Sequence, residues 1–90
     1  KISPENPEYI ATKGFVLLQQ NKIGEAEQTL QMALQMGGSD HFRVLEQMGD
    51  LYEVKGNSAK ALEFWEKARD ESIYPREELL EKIEMNHNRP

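Results

Sequence analysis

Cysteine is missing from all 90 residues, so the fold has no disulfide and no thiolate metal site, and packing alone must hold it together. No apolar run approaches the roughly 18 to 20 residues that span a bilayer, and no charged-then-apolar signal stretch opens the chain, so a soluble protein is expected. Positive charge is in deficit: 11 Lys and Arg stand against 16 Asp and Glu, a net charge of -5. A compact nucleic-acid binder has the opposite balance, which speaks against phosphate backbones as the main partner. With 38% apolar residues the chain can bury the modest core of one domain. It opens at Lys1 rather than at methionine, which points to a piece of a longer polypeptide or a processed chain.

What is present is helical periodicity. Proline and glycine mark the breaks, at Pro4 and Pro7, Gly37 and Gly38, Gly56, and Pro75. Between them the apolar positions recur at helical spacing: Tyr9, Ile10, Phe15 to Leu18, then Ile23, Ala26, Leu30, Ala33, Leu34 and Met36. The second half repeats the arrangement with Phe42, Val44, Leu45, Met48, Leu51, Tyr52, then Ala61, Leu62, Phe64, Trp65 and Ala68. Strand alternation is absent. Asn6, Pro7 and Glu8 supply a cap acceptor, a preset φ and a carboxylate for a first helix. Gly37 suits a left-handed helix end, Ser39 or Asp40 a cap for the third helix, and Asn57 or Ser58 a cap for the fourth. Pro75 opens a fifth helix with Leu79, Leu80 and Ile83 on one face, and Asn86 to Pro90 is expected to fray. The fold class predicted is all-α, with five helices.

Laid on itself with a shift of 35, the chain matches Gly14 with Gly49, Ala26 with Ala61 and Ala33 with Ala68. Ile10/Leu45, Val16/Leu51, Leu17/Tyr52 and Leu30/Trp65 agree in character. Antiparallel helices approach to about 8 to 10 Å only where contact side chains are small, so these glycines and alanines mark helix crossings.

These residues resemble the tetratricopeptide repeat family. Residues 42–75 carry its pattern in Leu45, Met48-Gly49, Tyr52, Ala61, Trp65 and Ala68, with Gly56-Asn57 at the inter-helix turn. Residues 7–40 carry it in Ile10, Gly14, Leu17, Ala26, Leu30 and Ala33, departing from it at Lys13, Glu27 and Gly38. The resemblance implies a single domain over 1–90: two antiparallel helix-turn-helix repeats of an α-solenoid superhelix, then a capping helix over 76–88. In that register Leu79 takes the fourth position and Ile83 the glycine position, with Glu77, Glu81 and Glu84 facing water. An aromatic-rich last repeat followed by one polar helix is similar to the C-terminal end of bacterial members, whose compartments would be the cytoplasm or the periplasm and cell envelope.

In this family the first helices line a concave groove. Carried onto this chain, its wall is Glu8, Ala11, Phe15, Leu18 and Gln19, then Arg43, Glu46, Asp50, Glu53 and Val54. Glu46, Asp50 and Glu53 follow i, i+4, i+7 spacing and share one helical face. They are expected either to hold Lys or Arg of an extended peptide, with Phe15 and Leu18 taking an apolar side chain, or to be a solvated acidic face. One straight helix cannot wrap oxygens around an ion, so no metal site is expected. The family's clamp for a chaperone's C-terminal carboxylate is absent, since Ala11, Phe15 and Gln47 stand at its positions.

Catalysis finds no support. His41 and His87 are 46 residues apart, and Ser3, Ser39, Ser58 and Ser72 fall at predicted caps or turns. Tyr52 and Trp65 are expected in the core, Phe64 on the opposite side with Tyr74, on a convex or intermolecular surface. The function expected is a non-catalytic protein-protein interaction module, without cofactor or metal, that binds a protein or peptide. Alternatives are a homo-oligomeric structural domain docking through its uncapped first helix, and an RNA-binding pentatricopeptide repeat, which the charge and Gly14 oppose.

Overall fold

Asn6 accepts a hydrogen bond from the Glu8 amide at 2.8 Å, and with Pro7 in the first turn it starts α1, Pro7–Gln19. The computed structural model describes residues 6–38 and 41–87 of the chain. Four more helices follow: α2, Ile23–Gln35; α3, Phe42–Val54; α4, Ser58–Glu71; and α5, Glu77–His87. Asn57 caps α4 through the Lys60 amide at 3.1 Å. Ser39 and Asp40, the expected caps of α3, lie outside the described residues. His41 does that work, its Nδ1 accepting from the Arg43 amide at 3.2 Å. Ser3 and residues 88–90 also fall outside. Asn86, expected in a fraying tail, belongs to α5 and donates through Nδ2 to the Ser58 carbonyl at 3.3 Å.

The 35-residue period is a property of the backbone. Helices begin at Pro7, Phe42 and Glu77, and again at Ile23 and Ser58, each 35 residues after its counterpart. The turns repeat as well. After α1, Asn21 adopts φ 62°, Lys22 donates to the Leu17 carbonyl at 2.9 Å and Asn21 to Leu18 at 3.0 Å. After α3, Gly56 adopts φ 84°, Asn57 donates to Tyr52 at 2.9 Å and Gly56 to Glu53 at 3.1 Å. Both are six-to-one and five-to-two closures around a left-handed residue, a conformation that asparagine tolerates better than other residues with a side chain.

Packing repeats in the same register. One core joins Ile10, Leu30, Ala33, Val44 and Met48 with Ala11 and Leu51. The other joins Leu45, Trp65, Ala68, Leu79 and Ile83 with Ala61, so its first five members stand 35 residues after the first five of the other. Helix α5 therefore packs on α4 as α3 packs on α2, and meets α3 more lightly, through Leu45. Tyr52 and Phe64 touch both cores and stack on one another, centroids 5.6 Å apart and planes 4° from parallel. Phe64 is thus a bridge between the cores and not, as expected, an outward residue; Tyr74 is outward, 89% exposed.

Glycine permits the close crossings. A Cβ on Gly14 would meet Leu30 at 2.7 Å, and one on Gly49 would meet the Trp65 ring at 2.2 Å. Gly49 and Trp65 are each eight residues from Asn57, as an antiparallel hairpin requires. The backbone period also moves the fifth helix by one residue from the expected register. Leu79 corresponds to Val44 and Ile83 to Met48, so Leu80 holds the fourth position and Glu84 the glycine position. Leu80 is consequently 42% exposed while its counterparts Ile10 and Leu45 are buried. A carboxylate at the glycine position keeps any further helix from crossing there.

Gly49→Ala should destabilise the fold by about 2 kcal/mol or more, because a rigid indole must move. Gly24→Ala has nothing within 4 Å of its Cβ and should stabilise helix α2 by up to about 1 kcal/mol. Denaturant unfolding of the two variants checks both signs.

Candidate interaction groove

Helices α1, α3 and α5 present corresponding faces side by side, and a cavity of about 430 Å³ lies along them. Its wall is Phe15, Leu18 and Gln19 from α1, Asp50, Glu53 and Val54 from α3, and Lys82, Met85 and Asn86 from α5, with Trp65 at its base. A smaller cavity of about 250 Å³ adjoins it, sharing Phe15, Asp50 and Lys82 and adding Ala11, Arg43, Glu46 and Gln47. Of the ten residues expected to form the groove wall, Phe15, Leu18, Gln19, Asp50, Glu53 and Val54 line the larger cavity, Ala11, Arg43 and Glu46 the smaller, and Glu8 neither. Ala11 is nearly inaccessible at 1% exposure, so its contribution to the groove is floor.

The acidic wall is occupied from within. Lys82 Nζ, on α5, donates to Asp50 Oδ1 at 2.9 Å and to Glu46 Oε2 at 3.0 Å. Arg76 also pairs with Glu46 Oε2, and Trp65 Nε1 donates to Asp50 Oδ1 at 3.1 Å. Two carboxylates and two cations cancel. Glu46 and Asp50, expected to hold a partner's basic side chains, are committed to the chain's own Arg76 and Lys82. Glu78 and Lys82 have the i, i+4 order of a helical surface pair, but Lys82 joins this bridge instead for a geometric reason: it stands 35 residues after Gln47, on the side of α5 turned toward α3. Nearby, Arg43 pairs with Glu8 at 2.8 Å. Glu27, at a position where the family pattern is apolar, meets Lys55 at 2.9 Å and ties α2 to α3.

Environment separates the two carboxylates. Burial pushes Glu46 upward, but hydrogen bonds from Arg76 and Lys82 outweigh it and hold the carboxyl below its ordinary range. Burial raises Asp50 above its ordinary range, and the charge and hydrogen bond of Lys82 offset only part of that. Burial lowers Lys82, yet the attraction of Asp50 and Glu46 is stronger and leaves the ammonium raised.

Most of what stays open is apolar. Phe15 is 40% exposed, Val54 54% and Met85 70%. Phe15, Asp50 and Met85 are the same repeat position in three successive helices, so extending the 35-residue register into α5 locates Met85 and Lys82, which the expected groove omitted. No helix among the described residues is long and apolar enough to cross a membrane, and no group of three or more His, Asp or Glu there could hold a metal ion. The chain matches no family model, no curated protein and no solved structure.

Lys82→Met keeps the stem but removes the shared cation. It should cost about 1 to 3 kcal/mol, and Asp50→Asn added to it should recover part of that loss in a double-mutant cycle. In a carboxyl NMR titration Glu46 should titrate below the ordinary glutamate range and Asp50 above the ordinary aspartate range. The stability Glu46 confers is full above its unfolded value and is lost as pH falls through the lowered folded one. Asp50 has the opposite sign, its ionisation weakening the fold as pH rises through its raised value. That of Lys82 is present below its ordinary value and lost as pH rises through the raised one.

Proposed function

We propose that this chain is a non-catalytic recognition module of the tetratricopeptide type, a short α-solenoid whose groove takes apolar side chains of a protein or peptide segment. The observation that supports the reading is the contrast along one surface. Glu46 and Asp50 are neutralised by Arg76 and Lys82, whereas Phe15, Val54 and Met85 remain open around the cavity. A ligand cation approaching this wall meets a carboxylate pair already bridged; an apolar side chain meets uncommitted apolar surface and can be desolvated at little electrostatic cost. The net charge of -5 runs against an RNA backbone as partner.

A second reading, self-association through the first helix, has its own support. Tyr9 and Val16, 48% and 45% exposed, occupy the repeat positions at which Val44 and Leu51 bury α3 against the preceding helix pair. Lys13 stands where Met48 docks, so that face is a less apolar version of the same contact.

Selection from a displayed library of short random peptides tests the groove reading. Enriched peptides should share two or three large apolar residues without enrichment of Lys or Arg, and Phe15→Glu should weaken their binding at least about tenfold. Basic motifs lacking apolar residues, or no enrichment, would contradict it.

A further inference from the structure

Between α4 and α5 lies the most exposed apolar pair among the described residues. Ile73 is 87% exposed and Tyr74 89%, side by side in a segment that leaves α4 through extended backbone at Ser72, φ -100° and ψ 132°. Large apolar side chains this exposed, and adjacent, are unusual on a folded surface unless they are covered in an assembly. The segment Ser72–Pro75 is uncharged, although Glu71 and Arg76 flank it and 30% of the chain is charged. The groove is its complement: apolar around Phe15, Val54 and Met85, with the Asp50 to Lys82 charges mutually cancelled.

We propose that the groove of one molecule receives the Ile73-Tyr74 knob of a second copy. The inference rests on the reading of the groove as an apolar recognition surface. A cavity of about 430 Å³ suits two large side chains of an extended segment and is too small for a helix, whose diameter is about 10 to 12 Å. The knob cannot fill the groove of its own molecule. Arg76, two residues on, is tied to Glu46, and Met85 lies roughly 12 Å along α5 from Glu77, at the far end of that helix. The donor must therefore be another copy. Tyr74 alone offers about 150 to 250 Å² of surface, so a reciprocal pair with two filled grooves buries on the order of 1,200 Å², the low end of specific interfaces. Such contacts are weak and readily displaced by a better groove ligand, which makes the exchange a built-in competitor for the partner site.

Sedimentation equilibrium of the 90-residue chain over a concentration series tests this. The wild type should shift from monomer toward dimer at about 10 to 100 μM. Ile73→Ser with Tyr74→Ser, at exposed positions and so expected to keep the wild-type Tm and helical circular dichroism, should remain monomeric. Val54→Asp with Met85→Asp should also remain monomeric, and a mixture of the two variants, which keeps only one of the two groove–knob contacts, should associate more weakly than the wild type. A wild type that is monomeric throughout, self-association that survives Ile73→Ser with Tyr74→Ser, or self-association that survives Val54→Asp with Met85→Asp would each overturn the proposal. The groove reading is separable: if the association tests fail but the knob variant still binds selected apolar peptides, recognition stands and only the identification of a second copy fails.

Discussion

Lys82 is the side chain on which the groove depends. Its ammonium reaches back from the last helix to two carboxylates on α3, and Arg76 at the start of that helix reaches one of the same pair. Leu79 and Ile83 bury α5 beside Trp65, but apolar contact alone leaves a helix free to slide or rotate. The ionic bridge fixes its rotation and so sets Met85 against the cavity. Glu46, 3% exposed, could not be left unpaired there without a cost of several kcal/mol, so orientation of the helix and neutralisation of the wall are one requirement.

Around that bridge the structure is one contact used twice. Small residues bring each helix pair together, a left-handed residue closes each hairpin, and the next helix covers the resulting apolar face. The fifth helix departs from the repeat, with Glu84 at the glycine position and Leu80 left 42% exposed. The proposed function rests on the same geometry: repetition places Phe15, Asp50 and Met85 in line, and Lys82 cancels the one charged member of that line.

Much of the fold was legible in the residues because its causes are local. Asn6-Pro7-Glu8, the glycine and alanine register and the apolar spacing each specify a helix start, a crossing or a buried face without reference to distant chain. The site was legible only in part. Helix α3 carries Glu46, Asp50 and Glu53 on one face, and spacing shows that much; that Glu46 and Asp50 are consumed depends on Lys82, 36 and 32 residues further along. A pairwise pattern such as Glu78 to Lys82 competes with that long-range contact, and burial decides between them. Phe64 misled for the same reason, since its stacking on Tyr52 arises only once both cores exist. The one-residue offset of α5 arises because the register expected from Pro75 opens at Arg76, whereas the helix begins at Glu77.

The most direct measurement is the salt dependence of affinity for a peptide selected on the groove, taken by calorimetry from about 50 to 500 mM sodium chloride. If the groove's charges are internally cancelled and recognition is apolar, affinity should change by less than about twofold and binding should carry a negative heat-capacity change. A loss of about tenfold or more would show that free carboxylates carry the binding, and the account of a neutralised groove would be wrong.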